Sequence, residues 1–150
     1  MPGKTLKFRN EGYPVIVMDF LEGKDLLTMM TKRIKEKQVV NESFLATMFR
    51  SVMESLLSMH KKLYLHRDLK LDNMVFTSTT SDLKVKLVDC GYSCKASTGS
   101  VYETSLYGTR GFFAPESLAT STGMREYSTK TDVWQAGCAL YVMLSGNLLN

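Results

Sequence analysis

The sequence has few cysteines, no long apolar run and little excess of charge of either sign. Cys90, Cys94 and Cys138 are an odd number without a paired C-x-x-C spacing, which argues against a disulfide scaffold and a zinc site. They favour an intracellular, cytoplasmic location, with the nucleus left open. The longest apolar run, Cys138 to Leu144, is far too short to span a bilayer. The net charge of +4 is spread along the chain, so we expect no nucleic-acid partner.

The composition that remains is that of an ordinary globular domain. Its 150 residues are 44% hydrophobic and 23% charged, which is enough for one core. Apolar periodicity predicts a short helix after a cap at Asp25, a long helix from about Asn41 to Lys61, and a last helix from near Ser128 to Gly146. The last helix is apolar on nearly every side, so we expect it to lie inside a larger body.

Short β-branched runs predict three strands. A buried strand is expected at Val15–Phe20, and two more at Met74–Phe76 and Val85–Val88, joined by the turn-rich residues Thr77–Asp82. The residues from Gly91 to Ser105 include eight Ser, Thr or Tyr and show almost no apolar period. We expect that stretch to be a mobile loop.

The residues from His66 to Asn73 read H-R-D-L-K-L-D-N and fit the pattern H-R-D-L-x-x-x-N. With five fixed residue types, a chance match in a chain of this size is roughly one in twenty thousand. A charged loop after a helix explains the polarity but not the order. Phosphoryl transfer needs such an arrangement: one carboxylate at the attacking hydroxyl and a nearby amide oxygen that holds a metal on the phosphates.

Three further signatures follow in order. D-C-G occupies residues 89–91 directly after a predicted strand, A-P-E occupies residues 114–116, and D-V-W-Q-A-G at residues 132–137 opens the last helix. A single D-x-G is weak evidence and is usually a turn. Together with the loop at 66–73, the four signatures resemble those of the eukaryotic-type protein kinases, over the chain from about Val15 to its end.

The resemblance implies an α+β fold, a protein-kinase-like fold formed mainly by the helical C-terminal lobe. Residues 1–21 are expected to be a remnant of the N-terminal lobe sheet with the hinge, and residues 22–150 a partial C-terminal lobe, truncated at both ends. The resemblance also implies ATP and Mg²⁺ as cofactors and transfer of the γ-phosphoryl group to protein serine or threonine hydroxyls. A chain cut in this way is expected to be inactive alone.

Site residues follow from the same resemblance. Asp68 would accept or steer the proton of the substrate hydroxyl, and Lys70 would steady the transferred phosphate. Asn73 and Asp89 would be the two magnesium ligands.

The ATP site would be completed around the expected hinge. Met18 stands at the gatekeeper position, and the backbone of Asp19 and Leu21 would pair with adenine. Asp25 would meet the ribose, and Val75 would form the floor of the adenine pocket.

Several residues favour the serine/threonine branch or have structural roles. Lys70 resembles the Ser/Thr-kinase pattern, and Thr109 is expected to bond to the catalytic aspartate and lysine. His66 is a structural residue, and Asp132 should accept hydrogen bonds from the backbone of the catalytic loop. Glu116 belongs to the substrate and activation segment, where the family pairs it with a distal arginine.

Regulation is predicted at Arg67, which kinases commonly use to bind a phosphate on the activation loop. Ser105 is the favoured phosphosite, with Thr104 next, and a merely solvated Ser/Thr-rich loop is the alternative. The partners implied are a protein substrate and an upstream activating kinase.

Two departures keep other functions open. No G-x-G-x-x-G loop and no V-A-I-K-like lysine precede Val15, and Cys90 replaces the usual Phe. The second hypothesis is therefore a non-catalytic, kinase-like binding module, a pseudokinase or scaffold. A kinase acting on small molecules is disfavoured because the segment from Gly108 to Glu116 resembles a peptide-substrate platform.

Overall fold

The computed structural model describes residues 16–38, 41–79, 84–118 and 121–147, together with the backbone of residues 5–8 and 11–14. In chain order its elements are β1 (Thr5–Phe8), β2 (Glu11–Pro14), α1 (Leu26–Lys35), α2 (Glu42–Lys61), β3 (Tyr64–Leu65), a 3-10 turn (Leu71–Asn73), β4 (Met74–Phe76), β5 (Val85–Leu87), β6 (Cys94–Lys95), β7 (Ser100–Glu103), α3 (Pro115–Leu118), β8 (Arg125–Ser128) and α4 (Thr129–Ser145). This mixture of helices and small sheets confirms the predicted α+β class. Among the helices described, none is long and apolar enough to cross a membrane.

The first two predicted helices are present with side-chain caps at their N-termini. The Asp25 carboxylate accepts a hydrogen bond from the Thr28 amide at 2.7 Å at the start of α1. Asn41 caps α2 in the same way, accepting from the Phe44 amide at 2.7 Å. Burial raises the pKa of Asp25, but the hydrogen bonds from the Thr28 amide and hydroxyl outweigh it, so this pKa is lowered. Each cap satisfies an amide that the helix itself leaves unpaired.

The third predicted helix, α4, is closed at both ends by local sequence. The Ser128 amide donates to the Thr131 hydroxyl at 3.0 Å, one half of a capping box. Gly146 follows the last turn at a φ of 72°, a left-handed conformation that glycine adopts without strain. One side of α4 is exposed in this structure, with Val133 and Trp134 50% and 45% exposed. That a larger body covers this side stays a prediction.

The strands pair two by two into four antiparallel ribbons. The predicted pair is β4 with β5, where Met74 lies opposite Leu87; of the turn between them, residues 80–82 lie outside the described residues. The prediction of a mobile loop over residues 91–105 is wrong at Cys94–Lys95 and Ser100–Glu103, which form strands. Strand β6 pairs with β3, and β7 pairs with β8. Strands of two and four residues are too short for an apolar period, and their partners are distant in sequence.

The predicted buried strand at Val15–Phe20 is also wrong over residues 16–20, while Val15 lies outside the described residues. Residues 16–20 form no strand, and the four large apolar side chains among them are between 74% and 87% exposed. An apolar β-branched run marks a buried strand only where a neighbouring strand and a core cover it. No strand in the described part of the chain pairs with this run.

One main core joins α1, α2, β4, β5 and α4, and a smaller cluster lies beside it. The small cluster contains Leu65 and Tyr127, and the main core contains Leu69 and Leu71. Burying a leucine side chain stabilises a fold by roughly 2 kcal/mol. Leu65, directly before the charged loop of residues 66–73, and the two leucines within it therefore fix the loop in two different clusters.

Candidate active site

The loop of residues 66–73, called the catalytic loop below, is buried although it is polar. His66 and Asp68 are 0% and 4% exposed, and Asn73 is 5% exposed. Buried polar groups require hydrogen-bond partners, because burial without them costs several kcal/mol. The structure supplies these partners from α4, the residue after β5 and the segment before α3.

Asp132, in the first turn of α4, is the main support of the loop backbone. Its Oδ2 accepts from the His66 amide at 2.9 Å, and its Oδ1 accepts from the Arg67 amide at 2.8 Å. These are the backbone contacts that the family resemblance implies. A carboxylate at this position also interacts favourably with the N-terminal end of the helix dipole.

Two supporting residues were missed by the sequence analysis. His60 Nε2 lies 2.8 Å from Asp132 Oδ2, which adds a third partner to that carboxylate. Gln135 accepts from the Leu69 amide at 2.9 Å through Oε1 and donates to the Arg67 carbonyl at 3.0 Å through Nε2. The available signal was spacing: Gln135 stands three residues after Asp132, on the same face of the helix.

His66 links the catalytic loop to the end of β5. Its Nδ1 accepts from the Asp68 amide at 3.3 Å, and its Nε2 lies 3.1 Å from the Val88 carbonyl. These two contacts select the tautomer with the proton on Nε2. The imidazole thus connects the backbone of Asp68 to the residue that precedes Asp89.

The carboxylate of Asp68 is the centre of a three-residue contact. The Thr109 hydroxyl donates to Asp68 Oδ1 at 2.7 Å. Lys70 Nζ donates to the same hydroxyl at 3.1 Å and lies 3.5 Å from Asp68 Oδ2. The structure therefore brings together the three residues that the sequence analysis associated, and the positive charge of Lys70 lies beside the carboxylate.

Asn73 and Asp89 are oxygen donors on neighbouring chain segments. The Val88 amide donates to the Asn73 carbonyl at 2.9 Å, which places Asp89 one residue from that contact. The side-chain nitrogen of Asn73 donates to the Asp68 carbonyl at 2.8 Å, so its amide oxygen is the atom available to a cation. Asp89 is exposed and has a φ of 58°. Mg²⁺ is usually held by one or two protein oxygens together with substrate phosphates, and this pair fits that requirement.

Within the described residues, no group of three or more His, Cys, Asp and Glu side chains is arranged to hold a metal ion. The three cysteines are free, and of these Cys90, next to Asp89, is exposed.

The residues predicted to bind adenosine are only partly brought together. Met18 is 74% exposed, and the Asp19 carboxylate lies 3.7 Å from Lys86 Nζ on the surface. Asp25 and Val75 meet in an isolated β-bridge, but the Asp25 carboxylate is engaged by Thr28 as the cap of α1. Leu21 is half-buried.

The remaining predicted residues lie around α3 and β7. The Glu116 carboxylate accepts from the Thr131 hydroxyl at 3.1 Å, which ties α3 to the first turn of α4. Thr104 and Ser105 are both exposed and directly follow β7. Arg67 is 5% exposed and contacts the segment that contains β7. Phosphorylation of Ser105 or Thr104 stays a prediction.

Comparisons with known proteins agree with this geometry. A family model described as "Protein kinase domain" matches residues 6–149. The chain is similar to the serine/threonine-protein kinase cds1 of Schizosaccharomyces pombe, with 33% identity over 144 residues. It is also similar to calcium-dependent protein kinase 22 of Arabidopsis thaliana and calcium-dependent protein kinase 7 of Oryza sativa subsp. japonica, with 32% and 35% identity over 131 residues each.

These matches cover most of this chain but a minor part of each relative. They include 94%, 87% and 87% of the chain and 30%, 25% and 22% of the three relatives, respectively. The chain thus spans less than a third of the length of these relatives. With the family model matched over nearly all its residues and the catalytic loop built as described above, the chain belongs to the protein kinase domain family.

Proposed function

We propose that this chain carries the catalytic loop of a serine/threonine protein kinase that transfers the γ-phosphoryl group of ATP to protein hydroxyls. The observation that carries the proposal is the contact among Asp68, Lys70 and Thr109. A buried carboxylate, 4% exposed, is held by a hydroxyl at 2.7 Å and a lysine ammonium at 3.5 Å. Phosphoryl transfer depends on positioned charge of this kind rather than on covalent chemistry by the protein.

The proposed role of Asp68 is to orient the attacking hydroxyl and to accept its proton. Thr109 and Lys70 fix the carboxylate in one orientation, which reduces the entropy that positioning would otherwise cost. Lys70 also brings a positive charge to the place where the transferred group becomes more negative. The pairing of Lys70 with Thr109 is the support for serine/threonine specificity.

Asn73 and Asp89 are the residues that would hold magnesium. Magnesium held there would supply positive charge to offset the negative charge of the phosphates. The role of this chain is to direct the amide oxygen of Asn73 and the carboxylate of Asp89 to neighbouring positions. We further propose that Met18, Asp19, Leu21, Asp25 and Val75 contribute to nucleotide binding in a longer kinase domain of which this chain is a part.

The partners and setting are proposed from the same family membership. A protein substrate and an upstream activating kinase are expected, in an intracellular compartment. The support for the compartment is that all three cysteines are free.

The test is the substitution Asp68→Asn in the full-length product of the gene that encodes this chain. We expect kcat to fall by about 10²- to 10⁴-fold, because the amide cannot accept the hydroxyl proton, while nucleotide binding survives. Asp72→Asn is the matched control: Asp72 is exposed in the same loop, and kcat should stay within about twofold of the wild type.

Three outcomes separate the alternatives. Phosphorylation of a generic protein substrate that survives Asp68→Asn would contradict the role of Asp68. A wild-type protein that does not bind magnesium–ATP and does not transfer phosphate would favour the non-catalytic binding module instead. Asp89→Asn should raise the KM for magnesium–ATP as well as lower kcat, because Asp89 acts through the metal.

A further inference from the structure

Arg67 places a cation in the protein interior directly before the catalytic aspartate. Its side chain is 7% exposed, and its guanidinium lies over the rings of Tyr107 and Tyr127 at 4.2 Å and 5.4 Å from the ring centres. Its Nε donates to the Tyr92 carbonyl. Aromatic faces and a carbonyl attract a guanidinium but do not neutralise it, and a buried charge without a counter-ion is costly.

Glu103 supplies the missing negative charge. Its Oε1 lies 3.3 Å from Arg67 Nη1, and its side chain is 34% exposed. Among the acidic side chains that the structure describes, Glu103 is the one within ion-pair distance of this guanidinium. The pairing spans 36 residues, so it joins the catalytic loop to the segment that runs from Tyr92 to Tyr107.

The backbone holds Glu103 in place. Strand β7 ends at Glu103, which lies opposite Arg125 of β8. The Arg125 guanidinium donates to the Ser117 carbonyl at 2.8 Å, so it is engaged with α3. The carboxylate of Glu103 pairs with the distant Arg67 rather than with this facing arginine.

The same segment is tied down at its two ends. The Ala96 amide donates to the Leu63 carbonyl at 2.7 Å, just after β6. The Tyr107 amide donates to the Tyr127 hydroxyl at 2.7 Å, and that hydroxyl lies 3.3 Å from the Ser105 carbonyl. Hydrogen bonds from these two backbone amides fix the segment, and the ion pair between them joins it to the catalytic loop.

We propose that Glu103 is a positioning residue: it is the built-in anionic partner of Arg67, and it orders the segment from Tyr92 to Tyr107 without phosphorylation. The inference rests on the proposed function, since it assigns how the catalytic loop of that kinase is held. It is an alternative to the prediction of a phosphate on Ser105 or Thr104. A phosphate there would bring a second anion beside Glu103 to a guanidinium that already has a counter-ion, and like charges repel.

The test is hydrogen exchange on the phosphatase-treated chain, followed by mass spectrometry of peptides that cover residues 92–107. In the wild type we expect these amides to be protected, because the ion pair is intact without phosphate. Glu103→Gln keeps the size and removes the charge, which leaves the buried Arg67 without a counter-ion, so exchange should accelerate roughly five- to tenfold. Peptides from α2 should not change.

Glu126→Gln is the matched control. Glu126 is also half-buried, lies on the neighbouring strand β8 and accepts a hydrogen bond from Ser100 at 2.8 Å, but it does not contact Arg67. Its exchange in residues 92–107 should match the wild type within about twofold. Glu103→Asp keeps the negative charge on a shorter side chain and should retain most of the protection from exchange. If Glu103 acted through packing alone, the shorter side chain would not do so.

Two results would overturn the proposal. The first is that residues 92–107 of the phosphatase-treated wild type exchange without protection and become protected only when Ser105 carries phosphate. This measurement needs no Glu103 variant. The second is that the amides of residues 92–107 exchange at the same rate in Glu103→Gln as in Glu126→Gln. Hydrogen exchange does not depend on phosphoryl transfer. An inactive wild-type protein would therefore contradict the proposed function, while the exchange rates would still decide the role of Glu103.

Discussion

The solvent exposure of residues 16–20 and of the catalytic loop, residues 66–73, is the opposite of what their compositions predict. The first segment is mostly apolar, yet Ile16 and Val17 are 79% and 82% exposed. The second is charged, yet Asp68 is 4% exposed. Hydropathy alone would assign the interior to the first and the surface to the second.

The difference lies in the partners that each segment finds. Asp132 and Gln135 of α4 pair with four backbone groups of the catalytic loop. Residues 16–20 have one charged contact, from Asp19 to Lys86, between side chains that are 89% and 54% exposed. Burial of a polar segment is thus possible where another element offers complementary hydrogen-bonding groups.

The largest expected difference in stability is between the alanine variants of two aspartates, one that supports the catalytic loop and one in residues 16–20. Asp132→Ala removes a carboxylate that is 0% exposed and accepts from two amides and the His60 ring, so buried donors lose their acceptor. We expect the free energy of unfolding to fall by about 3–5 kcal/mol, measured by urea denaturation. Asp19→Ala, at the exposed segment, should change it by less than about 0.5 kcal/mol. Equal losses would show that the loop does not depend on its partner in α4.

A smaller effect is expected from two glycines that share a positive φ. Gly108 has a φ of 117°, and a Cβ there would lie 2.9 Å from the Arg67 carbonyl oxygen. Gly99 has a φ of 92°, and a Cβ there would meet no heavy atom within 4 Å. Both alanine variants incur left-handed strain of about 1–2 kcal/mol. Gly108→Ala should lose roughly 1–3 kcal/mol more, because the loop backbone must also move.

Thermal and urea unfolding of these two variants measure that difference. The hydroxyl contact of Thr109 follows directly after Gly108, so Gly108→Ala should also lower kcat in the full-length protein. If the two variants are equally stable, the close approach at Gly108 has no energetic consequence.

The smallest effect concerns thiol reactivity. Burial raises the pKa of the Cys94 thiol, against the opposing positive charge of Arg67, and burial also raises the pKa of Cys138. A raised pKa leaves less thiolate at any pH below it, so alkylation of both should be slower than that of the exposed Cys90. We expect this difference in alkylation rate at pH 8 to narrow as the pH rises, because the thiolate fraction of Cys94 and Cys138 then increases. Peptide mapping after timed iodoacetamide treatment reports the order, and labelling of Cys94 first would contradict it.

Much of the fold was predictable because its signals are local. The caps at Asp25, Asn41 and Ser128 act on amides within three residues, so a short sequence window contains the whole interaction. The order of the catalytic-loop residues is similarly contained in one stretch of chain. Sequence reasoning therefore found the helices α1, α2 and α4 and the residues at 66–73.

The rest depends on contacts between distant parts of the chain. His60 meets Asp132 across 72 residues, and Glu103 meets Arg67 across 36. Strand β7 exists because β8 lies beside it, and no periodicity within Ser100–Glu103 indicates that partner. The prediction of a buried strand at residues 16–20 was wrong for the converse reason. Their apolar pattern indicated a covering element, and the described residues do not provide one.

The sequence by itself determined which groups are available and in what order: the helices with their caps, the H-R-D-L-x-x-x-N loop and the residues of its chemistry. Only the tertiary structure decided which of these groups meet. His60 meets Asp132 across 72 residues, and Arg67 has its counter-ion in Glu103 rather than in a residue beside it. The physical reason is that helix caps and motifs use bonds within a few residues, whereas a buried charge is stabilised by whichever partner the fold brings within hydrogen-bond distance.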